Sequence, residues 1–306
     1  MHDHRNDGFR RLFDGPTSVG LFFPITTSEA AIPPLGEQRV LASYAESLGF
    51  DALWARDVPM FSPSFKDAGQ VYDPWVFLSQ IAAHTDAVAL VTGSIVLPLR
   101  HPLHVAKAAA SLDRLSDGRL VLGIASGDRP KEFPAFGVDE STVDARFRES
   151  VRTLRTMWSE EFPELETTFG SLDGSLELLP KPTAETVPLL VTGHAGQSLE
   201  WIADHGDGWV YYQRELRDLE VLLSEWRTLT EDDKPFVQVM HLDIQADPSA
   251  DPTPIKGGYA AGTDWIAERI GALEDAGVDH VMINVRHGER DVRTVLEEFA
   301  TAVLES

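Results

Sequence analysis

The alternation of short apolar runs with amphipathic segments is the feature of this chain that most constrains its fold. Over residues 88–137, the runs Val88–Val91 and Leu120–Ile124 flank a stretch, His101–Leu115, whose apolar residues recur at helical spacing. The polar turn Ser116–Arg119 precedes the second run. Strands that are apolar throughout are typical of parallel sheets buried on both faces. The pattern therefore predicts a parallel α/β sheet.

The same unit recurs along all 306 residues. The predicted strands are Ser18–Phe23, Asp51–Ala55, Val88–Val91, Arg119–Ile124, Pro188–Thr192, Gly208–Tyr212, Phe236–Leu242 and His280–Val285. The predicted helices are Leu35–Leu48, Pro74–His84, His101–Leu115, Thr142–Trp158, Gln197–His205, Glu215–Leu229, Thr263–Ala276 and Asp291–Leu304. Eight β/α units without a break in composition predict one domain over residues 1–306, a (β/α)8 TIM barrel in which residues 1–16 are an N-terminal tail.

Three segments exceed what a minimal barrel needs. They are Pro59–Asp73, Phe162–Pro182 and Asp247–Gly262, and the second contains FGSLDGSLELLPKP, which resembles a β-hairpin. The first and third follow predicted strands, so we expect them as insertion loops at the C-terminal face of the barrel, where such folds bind ligands. Long loops in compact domains are usually functional.

Composition excludes several classes of function. The formal net charge of −23, from 49 acidic and 26 basic residues, repels nucleic-acid phosphates and anionic membranes, so neither is expected as a partner. No apolar run approaches the roughly 20 residues of a membrane helix, and MHDHRNDGFRRLF lacks the apolar core of a signal peptide, so we predict a cytoplasmic protein. The absence of Cys and of metal-ligand spacings predicts no disulfide, Cys nucleophile or metal site.

The acidity itself has two interpretations, which the sequence leaves open. An acidic surface aids solubility at high salt, where counterions screen the self-repulsion of like charges. An acidic enzyme of an ordinary habitat fits the same composition equally well.

Small polar residues follow several predicted strands. Thr92-Gly93-Ser94 ends the third strand, Ser126-Gly127 follows the fourth, and Gly193–Ser198 follows the fifth and leads into a helix. Backbone N–H groups at the start of a helix favour an anion such as a phosphate. Taken alone, Gly193–Ser198 fits an ordinary strand-to-helix turn with an N-cap at least as well.

Aromatic residues near strand ends predict a largely apolar pocket. Phe22 and Phe23 end the first strand, and Trp209, Tyr211 and Tyr212 belong to the sixth, where alternation puts Trp209 and Tyr211 on one face. Polar residues also occur within apolar strands, and they are weaker candidates for the functional site: Gln238, His241 and Asn284.

The order and spacing of LPLRHP, SLDRLSDGRLVLGIASG and EFPAFG resemble those of the bacterial-luciferase-like flavin-dependent oxidoreductases. The similarity extends from about Val19 to about Tyr212. It implies a luciferase-like TIM barrel that binds flavin mononucleotide (FMN) and acts as an oxidoreductase or monooxygenase on a small organic substrate. It also implies a homodimer. A separate flavin reductase is an expected partner, because the chain has no GxGxxG fingerprint for a nicotinamide dinucleotide.

The resemblance also implies positions for the cofactor. The flavin phosphate would lie at Gly193, His194, Ala195 and Ser198 with Arg146, for which Arg148 and Asp144 are alternatives within an uncertain register. The flavin ring would lie against Phe23, Trp54, Gly93, Ser94, Ala125, Ser126, Gly127 and Tyr211, with a non-proline cis bond between Gly93 and Ser94.

The resemblance further directs attention to the end of the second strand. Relatives often carry His or Glu-His there, whereas this chain has Arg56 and Asp57. In a catalytic role, Arg56 would stabilise an anionic reduced flavin and Asp57 would orient Arg56. A structural salt bridge is the alternative for these residues.

Three alternatives to this function remain at the sequence level. Some relatives use a deazaflavin, although its longer anionic tail favours basic residues and this chain has few Lys. A cofactor-free barrel lyase or hydrolase would bind a phosphorylated substrate at Gly193–Ser198, but it needs a Lys or a carboxylate pair at strand ends. A flavin-binding subunit without turnover is the third alternative.

Overall fold

The computed structural model describes residues 5–25, 32–62, 72–231, 234–285 and 288–305. Its central element is a closed barrel of eight parallel strands, β1 (Ser18–Phe23), β2 (Ala52–Ala55), β3 (Ala89–Thr92), β4 (Leu120–Ala125), β5 (Leu189–Thr192), β6 (Gly208–Tyr212), β7 (Phe236–Ile244) and β8 (His280–Asn284). Each strand pairs with the next in parallel, and β8 pairs with β1 to close the ring. The predicted TIM barrel is confirmed.

Helices surround the barrel. They are α1 (Asp7–Phe13), α2 (Leu35–Ser47), α3 (Pro74–Ala82), α4 (Pro102–Leu115), α5 (Glu132–Ala135), α6 (Val143–Ser159), α7 (Leu199–His205), α8 (Leu216–Thr230), α9 (Thr263–Asp275) and α10 (Val292–Phe299). The start of α3 shows why the boundaries lie where they do. Pro74 occupies the first turn, and the Asp73 carboxylate accepts from the backbone N–H groups of Trp75 and Val76.

Two apolar cores divide the side chains of the strands between them. The core inside the barrel contains Phe9, Leu12, Phe22, Ala52, Trp54, Ala89, Val91, Val121, Leu190, Val210, Val237 and Met282. The larger core lies between the outer face of the barrel and the helices. Since successive side chains of a strand point to opposite faces, membership of one core fixes the direction of the neighbouring residues.

Asn6 and helix α1 close the barrel at its N-terminal end. Asn6 caps α1 and donates from Nδ2 to the Leu120 carbonyl oxygen at 2.6 Å and to Asp113 Oδ1 at 2.9 Å. Phe9 and Leu12 are buried in the interior core. Within residues 5–16, this corrects the expectation of an N-terminal tail over residues 1–16, because an apolar pair on a two-turn helix fills the space below the barrel. Residues 1–4 lie outside the described residues.

A hydrogen-bonded chain of polar groups lies just above this helix. Trp54 Nε1 donates to His280 Nε2 at 3.0 Å, His280 Nδ1 lies 2.6 Å from Ser18 Oγ, and Ser18 Oγ donates to the Leu12 carbonyl oxygen at 2.8 Å. His280 therefore accepts at Nε2 and carries its proton on Nδ1. Complete burial lowers the pKa of His280 to about 3, so the ring is neutral.

The predicted insertions differ in their outcome. Within Phe162–Pro182, Glu164–Thr167 and Gly170–Asp173 form an antiparallel hairpin that ends earlier than the sequence suggested. Asp247–Gly262, expected as a loop, contains the paired strands Thr253–Ile255 and Gly258–Ala261, and the second extends the sheet beside β7. The prediction for Pro59–Asp73 falls largely on residues 63–71, which lie outside the described residues.

Candidate active site at the mouth of the barrel

The C-terminal ends of the eight strands form the mouth of the barrel. Alternation from the interior core places the side chains of Arg56, Thr192, Tyr212, His241 and Asn284 on the inward side at this level. His241 and Asn284 are register partners on β7 and β8. Among the described residues, the mouth therefore combines the Arg56 guanidinium with hydroxyl, imidazole and amide groups above an apolar floor.

The charge of Arg56 acts on the hydroxyl group of Tyr212 at this mouth. Tyr212 is 56% exposed, yet partial burial raises the pKa of its hydroxyl. The Asp128 carboxylate raises this pKa further and the Arg56 guanidinium lowers it, so both charges act on the phenol. The Tyr212 ring also covers the loop after β5, because a Cβ at Gly193 would lie 3.6 Å from its Cε2.

Asp57 has a different environment from its neighbour Arg56. Its Oδ1 accepts from Arg100 Nη2 at 2.7 Å, and its Oδ2 accepts from Arg100 Nε at 2.8 Å and from the Val96 backbone N–H at 3.1 Å. Arg100 also binds Asp73 at 2.9 Å. Asp57 is thus a buried anchor between the loop after β2 and the segment before α4, and its salt-bridge partner is Arg100.

The ends of β3, β4 and β5 form one side of the mouth. The Gly93–Ser94 peptide bond is cis, as the resemblance implied. The Ser94 hydroxyl is hydrogen-bonded to the Thr192 hydroxyl, which sequence analysis did not single out. Ala125, Ser126 and Gly127 follow as a half-buried edge. Gly127 has φ +97°, and a Cβ there would lie 3.0 Å from Val96 Cγ1.

Two of the predicted ring-binding aromatics face away from the mouth. Phe23 and Tyr211 lie in the core between barrel and helices, whereas Phe22 belongs to the interior core. Tyr211 packs on Trp209 with ring centroids 4.9 Å apart, and Arg214 donates to its hydroxyl at 3.2 Å. Trp54 is inside the barrel as expected, directly beneath Gly93, whose Cβ would lie 3.0 Å from Trp54 Cε3.

The loop Gly193–Ser198 has a turned backbone. Gly193, Ala195 and Gly196 have φ values of +59°, +48° and +71°, in the left-handed region. The Gly193 carbonyl oxygen accepts from Trp209 Nε1 at 2.7 Å, and the His194 ring is exposed beside Trp209 and Tyr211. Ser198 Oγ accepts from the Trp201 N–H at 3.2 Å, so this hydroxyl acts as the N-cap of α7.

Helix α6 brings two oppositely charged residues to this region. The Arg146 guanidinium lies 4.3 Å from the Phe169 ring centroid, and its Nε donates to the Pro98 carbonyl oxygen at 3.3 Å. Asp144 instead lies against the loop, since a Cβ at Gly196 would be 1.9 Å from its Oδ1. The residue of α6 that meets the loop is therefore Asp144.

Other chemistry is sparse within the described residues. No group of three or more His, Asp or Glu side chains is arranged to hold a metal ion there. Glu132 is buried near the mouth, accepts from the Met60 N–H at 3.3 Å, and has its pKa raised by burial. No helix in the same part of the chain is long and apolar enough to cross a membrane.

The barrel and its mouth define a class of protein that sequence comparison identifies. A profile of the family "Luciferase-like monooxygenase" matches residues 17–242. The chain belongs to this family of oxidoreductases. Members use FMN or the deazaflavin F420 as cofactor.

Two relatives illustrate the range of the family. An uncharacterised protein of Mycobacterium tuberculosis (strain H37Rv) is 30% identical over 242 residues, which cover 72% of this chain and 83% of the relative. An F420-dependent hydroxymycolic acid dehydrogenase of the same organism is 32% identical over 188 residues, which cover 60% of this chain and 51% of the relative.

Solved structures agree on the fold. The monooxygenase RslO1 from Streptomyces bottropensis superposes with a TM-score of 0.80 at 23% identity, covering 94% of this chain and 99% of that one. The oxygenating constituent of 3,6-diketocamphane monooxygenase from Pseudomonas putida, in complex with FMN, has a TM-score of 0.71 at 14% identity and covers 94% and 96%.

Proposed function

We propose that this protein is an FMN-dependent monooxygenase that uses reduced flavin and dioxygen on a small organic substrate. The observation that carries the proposal is Arg56, which alternation directs into the mouth and whose charge lowers the pKa of Tyr212. A guanidinium keeps its charge at all physiological pH values. It suits a cofactor whose reduced form is an anion.

The residues around Arg56 support the same proposal. Gly93 and Ala125–Gly127 keep one edge of the mouth free of large side chains, and the apolar floor beneath includes Trp54 and Phe22. Such a surface suits a flat ring that must be shielded from water. When bound, the flavin supplies the redox chemistry, and the chain supplies binding, orientation and exclusion of water.

The hydroxyl groups of the mouth give the proposed site its proton-handling capacity. Ser94 and Thr192 are bonded to each other, and Tyr212 presents a phenol that stays protonated because its pKa is raised. We assign Tyr212 to the substrate side of the ring, where a protonated phenol donates a hydrogen bond to an oxygen of the substrate. Asp57, bound to Arg100, is left with an indirect role in holding the loop that carries Arg56.

F420 is the second candidate cofactor, and one observation favours it. The F420-dependent hydroxymycolic acid dehydrogenase of M. tuberculosis is among the more similar relatives of this chain. In that case the protein would transfer hydride to or from an organic substrate without dioxygen. A cofactor-free lyase or hydrolase lacks support, since Asp57 is bound to Arg100.

Anaerobic titration tests the cofactor. We expect reduced FMN to bind, and calorimetry and flavin fluorescence measure its affinity. Arg56→Met should weaken the affinity for reduced FMN about tenfold more than the affinity for oxidised FMN, since only the reduced form carries the ring charge. Arg10→Met is the matched control, because Arg10 lies on α1 at the opposite end of the barrel.

Two outcomes would contradict the proposal. Binding of F420 but not of FMN would move the assignment to the deazaflavin. Failure to bind either cofactor would remove the flavin function altogether. Oxygen uptake with a panel of apolar substrates, with a separate flavin reductase as the source of reduced FMN, would then test the monooxygenase step for a protein that binds FMN.

A further inference from the structure

The Trp54 indole lies beneath the edge of the mouth at which the flavin ring is proposed. It is fully buried in the interior core, and it points to the same side of β2 as Arg56, one level lower. Gly93 lies above the indole, since a Cβ built on Gly93 would be 3.0 Å from Trp54 Cε3. The Gly93 N–H also donates to the carbonyl oxygen of the next residue, Ala55, at 2.7 Å. The indole therefore supports the part of the mouth that Gly93 forms.

His280 determines the orientation of this indole. Trp54 Nε1 donates to His280 Nε2 at 3.0 Å, and the two rings are stacked with their centroids 5.6 Å apart and an angle of 26° between their planes. An indole has one hydrogen-bond donor, and in Trp54 that donor is buried. A buried N–H without an acceptor is costly, so loss of the His280 nitrogen would disfavour the present orientation of the indole.

The His280 ring is itself held from below. Its Nδ1 lies 2.6 Å from Ser18 Oγ, and Ser18 Oγ donates to the Leu12 carbonyl oxygen at 2.8 Å. Ser18 and His280 are register partners on β1 and β8, and the Phe13 ring meets the imidazole edge-on at 6.4 Å. Because Ser18 uses its proton on Leu12, it accepts from Nδ1 and leaves Nε2 as the acceptor for Trp54. Both the tautomer and the orientation of His280 are thus fixed.

Gly20 gives this arrangement its space. It lies on the inward side of β1, between Ser18 and Phe22. A Cβ at Gly20 would lie 2.6 Å from His280 Nε2 and 2.6 Å from Trp54 Nε1, so any side chain here would collide with both ends of the hydrogen bond. The bond between the two rings therefore passes directly in front of a residue that has no side chain.

We propose that His280 is a positioning residue of the flavin site, which acts through Trp54 to fix the surface that Gly93 offers to the flavin ring. The proposal rests on the proposed flavin function and concerns the same site. His280 lies below Trp54, at the level of Ser18, and so it influences the ring only through the indole. A purely structural role would affect stability without this dependence on Trp54.

A double-mutant cycle tests the role of His280. His280→Phe keeps a flat ring but removes the acceptor, and Trp54→Phe keeps a flat ring but removes the donor. We expect each to weaken the affinity for oxidised FMN about tenfold, the equivalent of one hydrogen bond, and the double variant to be no weaker than Trp54→Phe alone. His280→Gln, whose carboxamide oxygen can accept from the indole, should lose less than about threefold. Fluorescence titration measures the four dissociation constants.

Leu12→Ala is the matched control. It makes a cavity in the same interior core but keeps the main-chain oxygen to which Ser18 donates. It should lower stability in urea while it changes the affinity for FMN less than about twofold. A loss of affinity in Leu12→Ala equal to that in His280→Phe would overturn the positioning role, because any damage to the core would then have the same effect.

Near-UV circular dichroism of the flavin-free protein is a second readout. Trp54→Phe identifies the contribution of Trp54 among the seven Trp residues of the chain. His280→Phe should remove most of that contribution and His280→Gln should keep it, because an aromatic ring without fixed packing gives little near-UV signal. If His280→Phe does not fold, Ser18→Ala takes its place. It frees His280 Nδ1, and we expect the same two changes at smaller size.

The outcomes separate this inference from the proposed function. If FMN binds equally well to the unaltered chain and to the His280 or Ser18 variant, the positioning role is overturned and the flavin function stands. A double variant that is clearly weaker than Trp54→Phe would also overturn it, because His280 would then act by another route. If the unaltered chain binds no flavin while its near-UV signal depends on His280, the proposed function is overturned, and the role in flavin binding with it.

Discussion

At the scale of single residues, Arg56 and Asp57 have different roles because they are consecutive residues whose side chains point to opposite sides of the barrel wall. The strand alternation that directs Arg56 inward turns Asp57 away, into a two-point contact with Arg100. The Asp57 side chain is 1% exposed and that of Arg100 is 24% exposed. A charge pair of this kind is costly to break, since loss of the Asp57 charge leaves the partly buried Arg100 with Asp73 as its remaining carboxylate partner.

Asp57→Asn should therefore reduce stability far more than it reduces flavin affinity. We expect a loss of about 3 kcal/mol in the free energy of unfolding, the lower end of the range for a buried pair because Arg100 is partly exposed. Urea denaturation of the unaltered chain, Asp57→Asn and Arg56→Met measures it. Equal stability of the two variants would contradict the structural role of Asp57.

His280 makes the stability of the barrel depend on pH. Burial lowers its pKa in the folded chain to about 3, below the ordinary value of about 6.5 that applies when unfolded. The unfolded chain thus binds more protons between these two values. The stability contributed by the neutral ring is complete above about pH 6.5 and is lost as pH falls toward 3.

From this shift we expect the His280 contribution to fall by about 2 kcal/mol between pH 7 and pH 5. The measurement is the difference between the unaltered chain and His280→Gln in urea unfolding at several pH values, since carboxylates that titrate in both proteins cancel. A difference that does not change with pH would show that His280 gains a proton without cost in the folded protein.

At the scale of elements, the order and type of the strands could be predicted, but the face on which each aromatic lies could not. Phe23 and Tyr211 were expected at the ring, whereas Phe22 and Tyr212 face the interior or the mouth. Parallel strands buried on both sides carry apolar residues at nearly every position. The alternation of side-chain direction along the strand is therefore not visible as an alternation of polar and apolar residues in the sequence. A shift of one residue then exchanges the two faces.

Helix α1 was missed for a related reason. Only Phe9, Leu12 and Phe13 are large and apolar in this segment, too few for a helical pattern to stand out from a polar terminus. Helix α1 is stabilised by the contacts of these residues with the barrel interior, which the local sequence does not reveal. The proximity of Asp144 to the loop Gly193–Ser198 could not be predicted either, because it depends on a hydrogen bond between residues distant in sequence, from Gln197 Nε2 to the Asp144 carbonyl oxygen.

Leu12→Ala tests whether α1 belongs to the folded barrel. Leu12 is fully buried, and removal of a buried Leu side chain costs about 2–5 kcal/mol. We expect a loss of about 3 kcal/mol in thermal or urea unfolding. The control is Arg10→Ala, which breaks an exposed pair with Asp7 and should cost less than about 1 kcal/mol. Equal effects of both variants would indicate that α1 packs loosely.

At the scale of the whole molecule, charge is the dominant feature. A net charge of −23 on 306 residues produces self-repulsion that opposes the compact state. Many acidic groups do have partners, as Asp207 and Asp279 do with Arg155 and Arg227, each at 2.7 Å. Pairs at the surface contribute little, however, and cannot offset an excess of 23 negative charges.

We therefore expect the thermal midpoint to rise by about 5 °C or more between 0.05 and 2 M KCl, as screening relieves the repulsion. Calorimetry at pH 7.5 measures the rise. The same titration near the sequence pI of about 4.7 is the control, because the net charge is then small and the salt effect should largely vanish. A flat response at pH 7.5 would contradict adaptation to high salt.

The position of helix α1 also has a consequence for the order in which ligands would bind in the barrel. With Phe9 and Leu12 filling the N-terminal end of the barrel, the proposed function requires cofactor and substrate to enter from the C-terminal end. A flavin ring at the bottom of a cavity that is closed at its other end must bind before the substrate that covers it. It must also dissociate after the substrate or product. If the proposed function is correct, we expect excess substrate to slow turnover instead of merely saturating it, because a substrate that binds first would obstruct the entry of the flavin from the same end.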